Sequence, residues 1–259
     1  MMNRLQQQTL SALPKSEPSV ELCSTGVYGT SSEHPHALFA PLHYERNYAY
    51  PLLVWLHGGG DSERQLQRIM PLISMRNYVA VAPRGTLKGL SRSGAGRGYH
   101  WQQSLQHSSW AEQAISAAIA EAQSRFHIRH DRIFLAGYES GGTMAFRIAT
   151  EQAERYAGVL SLCGPFPTEG APLAKLNTVR KLPLHVSACR EGSYYPTPQV
   201  CDNLRLFHAA GMSITLREYP GDGSLSEQML ADADRWIMEQ IVGQTVMSDV
   251  VPPRQTGVG

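Results

Sequence analysis

Cysteine is scarce in this chain. Cys23, Cys163, Cys189 and Cys201 are the only four in 259 residues, and no C-x-x-C pair occurs. That spacing argues against both a disulfide framework and a thiolate zinc site, so reduced thiols are expected. No histidine-rich tract is present either, and neither a metal nor a cofactor is expected. The chain also lacks an excess of one charge: 23 Lys and Arg stand against 22 Asp and Glu, which leaves +1. Such a balance gives no basic surface for nucleic acid. Long apolar runs are missing, and Met1 to Val20 alternates polar residues and prolines without the apolar stretch of a signal peptide. The expectation is a soluble, cytoplasmic protein with no membrane and no nucleic-acid partner.

What the chain does have is enough apolar residue, 42%, to bury one large core. Residues 1–20 read as a flexible N-terminal segment, 21–243 as one α/β domain and 244–259 as a tail without periodicity. Strand-like runs fall at Leu22 to Tyr28, His36 to Pro41, Leu52 to Leu56, Tyr78 to Ala82, Ile133 to Ala136, Tyr156 to Cys163, Leu184 to Cys189 and Ile214 to Tyr219. Between them the helical spacing predicts helices over Ser62 to Met75, Ser109 to Phe126, Pro198 to Ala210 and Leu225 to Val242, with another starting at Ser140. Trp110 is expected on the inward stripe of the second of these. Strands alternating with helices imply a mostly parallel sheet covered on both faces, with a ligand site at the C-terminal strand ends. Arg84 to Gln106 reads as a long Gly-, Ser- and Arg-rich loop containing Arg97, His100 and Trp101, of a length usual for functional loops.

The centre of this pattern is Ile133 to Phe146, where an apolar strand breaks at Gly137, turns, and enters a small-residue helix through Gly141 and Gly142. Strand, sharp turn and helix make the context of a nucleophile elbow, G-x-S-x-G, whose glycines clear space around a strained central residue. Here the central residue is Glu139. Shifting the frame by one centres Ser140 but puts Tyr138 in the leading glycine's place.

With Leu56-His57-Gly58-Gly59-Gly60-Asp61, the Gly137 to Gly142 elbow, the turn Tyr219-Pro220-Gly221 and the closing Trp236 helix, the chain from about Val20 to Gly243 resembles the phospholipase/carboxylesterase branch of the α/β-hydrolase fold. That branch includes acyl-protein-thioesterase-like and polyhydroxybutyrate-depolymerase-like esterases. The resemblance implies a single α/β-hydrolase domain, and it makes Glu139 the nucleophile position. The acid should stand on the turn Cys189 to Pro196, where Glu191 is the candidate, and the histidine should stand at Ser224. No histidine follows His208. An oxyanion hole is expected from Gly59, Gly60 and the N–H of Ser140. The pocket is expected to be lined by His57, Arg97, His100, Trp101, Cys163 and Arg190, with Arg97 or Arg190 holding the Glu139 carboxylate. His57 is read as an orienting residue of its turn and His185 as a core histidine. Glu139, Glu191 and Asp222 lie on three turns that meet in this fold, but nothing in their spacing calls for a metal.

Two functions follow. In the first, the esterase fold is kept and hydrolysis is lost, so the pocket takes a small ester-like or acidic ligand, or the surface takes a protein partner. In the second, an esterase or thioesterase works through Ser140 or Glu139 with His100 as a non-standard base.

Overall fold

The computed structural model describes residues 33–91, 94 and 97–249, with side chains as far as 243. The run Leu22 to Tyr28, Cys23, and the segments 1–20 and 250–259 lie outside the described residues. The central strand is β2 (Tyr50–Leu56), every residue of which is buried. A seven-residue apolar run with no polar alternation suits a strand covered on both faces, and β2 sits mid-sheet. Around it the seven-stranded sheet runs in the order β1 (His36–Phe39), β3 (Val79–Pro83), β2, β6 (Ile128–Tyr138), β7 (Gly158–Leu162), β8 (Leu184–Cys189) and β9 (Ile214–Tyr219). All neighbours pair parallel except β1, which lies antiparallel to β3.

Alternate side chains of each strand enter two cores. Leu52, Val54, Leu56 and Leu135 pack with α2 (Leu105–Arg125), α3 (Ser140–Glu151) and α5 (Thr197–Ala209) on one face. Leu53, Trp55, Phe134 and Ala136 pack with α1 (Gln65–Ile73) and α6 (Glu227–Asp249) on the other. A short helix, α4 (Leu176–Val179), lies between β7 and β8. Helix α6 continues to Asp249, so residues 244–249 extend the closing helix rather than beginning an aperiodic tail. In α2 the buried stripe is Ala111, Ala114, Ile115, Ala118, Ile119 and Ala122. Trp110, expected inward, is 42% exposed and meets His107 edge to face.

The segment 84–106 departs most from its sequence reading. Instead of an irregular loop it contains an antiparallel hairpin, β4 (Leu87–Leu90) with β5 (Arg97–His100), and α2 begins already at Leu105 behind an Ser104 cap. Among the described residues no helix is long and apolar enough to cross a membrane.

Candidate functional site

At the C-terminal end of β6 the backbone turns through Glu139 at φ 49°, ψ −116°, a conformation that L-residues rarely adopt, and α3 starts at the next residue. The glycines around it are sterically required. A Cβ on Gly137 would lie 2.3 Å from the Gly141 carbonyl oxygen, and one on Gly141 would lie 2.3 Å from that of Leu56. Gly142 abuts Ser161 Oγ at 2.4 Å and Gly164 abuts the Glu139 carbonyl oxygen at 2.4 Å, measured to the same hypothetical atom. The turn is anchored by Glu139 N–H donating to Leu162 O and by Thr143 N–H donating to Glu139 O. Backbone strain of this kind costs on the order of 1–3 kcal/mol and persists where packing over-determines it. Tyr138 points the other way, and its hydroxyl donates to Gly223 O at 2.7 Å, tying the elbow to the turn after β9.

The glycine turn after β2 is built by residues distant from the motif. Gln65 accepts from Trp55 Nε1 at 2.8 Å and from Gly58 N–H at 3.3 Å, and its own amide donates to Asp61. Arg84 closes the turn from the end of β3 by bonding Glu63 through Nε at 2.8 Å and through a second nitrogen. Burial pushes the Glu63 carboxyl up, but its hydrogen bonds, led by Arg84, hold it below the usual carboxylate range. Because the Glu63 side chain is only 7% exposed, Arg84→Ala leaves a buried carboxylate without its partner. We expect it to lower unfolding free energy by about 3 kcal/mol, measurable as an earlier midpoint in urea.

His57 is wholly buried, with Nδ1 donating to Gly58 O at 2.8 Å and Nε2 accepting from Gly85 N–H at 2.9 Å. Both nitrogens serve the turn, and burial lowers its pKa to about 4, so it is neutral and structural rather than a pocket residue. Trp101 is also buried; its indole donates to His57 O at 2.9 Å, making it an anchor of the segment rather than pocket lining. His185 occupies the β8 core against Trp236, and burial lowers it likewise to about 4.

Several expected roles change. The Gly60 N–H donates to Tyr99 O at 2.9 Å, which withdraws it from an oxyanion hole; the hairpin, absent from the sequence reading, supplies that acceptor. Gly59 faces His100 and Ser140: a Cβ placed there would lie 3.3 Å from His100 Nδ1 and 3.7 Å from Ser140 Oγ. Ser140 heads α3, where the helix N-terminus favours negative charge. Arg190 is exposed and pairs with Glu218 at 3.0 Å, and Arg97 is exposed at the opposite end of β5 from His100. Neither lines the cavity at Glu139. Glu191 accepts from Gly221 N–H and donates its own N–H to Gly221 O, which makes it a brace of the β9 turn. Ser224 is exposed and its N–H is bonded to Asp222 Oδ1.

What does converge on Glu139 is a small cavity of about 40 Å³ lined by Cys163, Cys189, Tyr194, Asp222 and their neighbours. Burial and then the Glu139 carboxylate raise the pKa of the Tyr194 hydroxyl, and the same tyrosine reaches Ser140. Ser140 Oγ is itself buried. His100 turns Nε2 toward Leu90 O at 3.3 Å; that acceptor places the proton on Nε2 and leaves Nδ1 as the lone pair beside Gly59. Gln103, which the sequence reading passed over, donates to Ser140 O and accepts from Arg147, fixing the start of α3. A larger cleft of about 1190 Å³ lies at the other end of the strands, around Tyr156, Ala157, Lys181 and Pro183. It shares no residue with the elbow.

The model of the Phospholipase/Carboxylesterase family matches residues 44–241, most of the chain. The chain belongs to that family. Among solved structures, this phospholipase/carboxylesterase family member is similar in fold to a carboxylesterase from Mesorhizobium loti (TM-score 0.66, 18% identity, 83% of this chain and 99% of that one). It is also similar to the Bacillus cereus carboxylesterase (TM-score 0.63, 15% identity, 80% and 94% covered). At these identities the likeness is one of fold. NocK of Nocardia uniformis subsp. tsuyamanensis, an esterase by name, is 26% identical over 144 residues, 53% of this chain. The match spans only 40% of that protein's length. An esterase-type α/β-hydrolase scaffold is therefore established for the family member described here.

Proposed function

We propose that this chain is a pseudohydrolase: a phospholipase/carboxylesterase family member that binds a small ester-like molecule at the elbow without hydrolysing it, and needs no cofactor to do so. The observation that carries this reading is Glu139 in the strained elbow conformation, φ 49° and ψ −116°. A carboxylate on a two-methylene stem does not put its oxygen where a serine hydroxyl would stand, and proximity catalysis is sensitive to displacements of this size. The exposed Ser224 in the histidine's place supports the same reading, since an alcohol without a positioned base is a poor nucleophile. Of the ligand classes, a neutral one is favoured over an acidic one, because Glu139 and Asp222 both lie at the elbow, where a cavity of about 40 Å³ admits only a small part of such a molecule.

One arrangement favours the alternative, hydrolysis through Ser140 with His100 as base: His100 Nδ1 and Ser140 Oγ flank the same point beside Gly59. Treatment with a serine-directed fluorophosphonate separates the two. The binding reading predicts no mass increase on the intact chain; a stoichiometric adduct on Ser140 that Ser140→Ala abolishes would establish the alternative.

A further inference from the structure

Cys163 and Cys189 are 26 residues apart in sequence, yet their sulfurs lie 3.9 Å from each other. Cys163 follows β7 and Cys189 closes β8, adjacent strands in the sheet, and the Cys163 N–H donates to Ser187 O at 3.0 Å. Each is 3% exposed, and both line the cavity under Glu139, so a molecule the size of water that enters there meets both sulfurs. Cys163 adopts the left-handed φ of 58°. Among the described residues no group of three or more His, Cys, Asp or Glu could hold a metal ion.

We propose that Cys163 and Cys189 join in an intramolecular disulfide when the chain meets a peroxide, remodelling the floor of the elbow cavity. The two sulfurs, 3.9 Å apart, have to close to an S–S bond length of about 2.05 Å. In the first step one sulfur attacks a peroxide oxygen and the O–O bond breaks, giving a sulfenic acid and one water. In the second step the other sulfur attacks the sulfenic sulfur, the S–O bond breaks, and the hydroxyl leaves as water with the second thiol's proton. Overall two thiols lose two electrons and two protons, and one peroxide becomes two waters. Burial raises both thiols, and at Cys163 its neighbour Cys189 and then the Glu139 carboxylate add to this, so little thiolate is present at neutral pH and the reaction is slow there, quickening as pH rises. The effect on ligand binding rests on the binding reading above, whereas the bond itself does not.

The test uses the full chain carrying Cys23→Ser and Cys201→Ser, so that only this pair remains. Hydrogen peroxide should reduce the thiols that alkylate after denaturation from two to none, and dithiothreitol should restore both. Peptide mass spectrometry should find Cys163 linked to Cys189 within one chain, and adding Cys189→Ser should remove the link. Two thiols that still alkylate after peroxide, separate sulfinic or sulfonic acids at the two positions, or a link found only between chains would overturn the proposal. None of these readouts involves an ester or a ligand, so a negative result here and a failed binding reading are told apart.

Discussion

Gly141→Ala is expected to destabilise this protein by about 3 kcal/mol and to lower its melting temperature by roughly 6–12 °C. The added methyl would lie 2.3 Å from the Leu56 carbonyl oxygen and 2.5 Å from that of His57. Both are backbone atoms of the central strand and its turn, so no flexible side chain can give way. Relief requires α3 to move off β2, and with it the elbow. Gly243→Ala is the matched control: it meets open space within α6. That substitution should leave the melting temperature unchanged or raise it, because alanine is the better helix former. Differential scanning calorimetry of the two variants reads this directly, and equal small effects would mean that the helix-strand contact is looser than described.

Acid should weaken the protein before most of its carboxylates titrate. His57 and His185 are both wholly buried, and desolvation lowers each from 6.5 to about 4, with a further lowering of His185 by Arg217. In the unfolded chain both would protonate near 6.5. Between that value and about 4 the unfolded state therefore binds protons that the folded state does not, so stability falls as pH falls. The contribution is fully present above about pH 6.5. By pH 4.5 the loss should be on the order of 5 kcal/mol for the pair. Urea unfolding at pH 7.5 and 4.5 checks this, with a much lower midpoint expected at 4.5; equal midpoints would contradict the assignment of two neutral core histidines.

Much of the fold was legible because its signals are local. The run Leu52 to Leu56 has no polar alternation, and the spacing of Gly137, Gly141 and Gly142 is a local pattern, although the atoms that require Gly141 and Gly142 belong to Leu56, His57 and Ser161. The hairpin was not legible: Leu87, Lys88, Leu90 and Arg97 are all exposed, so β4 and β5 carry no buried-face periodicity. They are held instead by backbone pairing to Gly60 and Asp61, and by the His100 ring lying against Gly89. The same non-local pairing removed Gly60 from the expected oxyanion hole. Trp101 and His57 read as pocket residues from the sequence, but the Trp101 indole donates to the His57 carbonyl and the His57 ring bonds Gly58 and Gly85, contacts that spacing does not reveal. Arg190 is a candidate from the sequence because it follows Cys189 on the turn where the family's acid should stand, whereas the strand pairing of β8 with β9 sets it against Glu218. Cys163 and Cys189 are legible as the ends of successive strands, but the contact of their sulfurs follows only from the packing of β7 beside β8.

The most direct test of the binding reading is the hydrolysis rate of a short-chain p-nitrophenyl ester by the purified chain, measured beside Glu139→Ala and Ser140→Ala. Positioned donors and binding alone give about 10³ to 10⁴-fold over water in enzymes whose catalytic residues are removed. The account predicts that all three proteins stay at or below that level and that neither substitution changes the rate. A wild-type rate well above it, abolished by either substitution, would contradict the account and make the chain an active hydrolase.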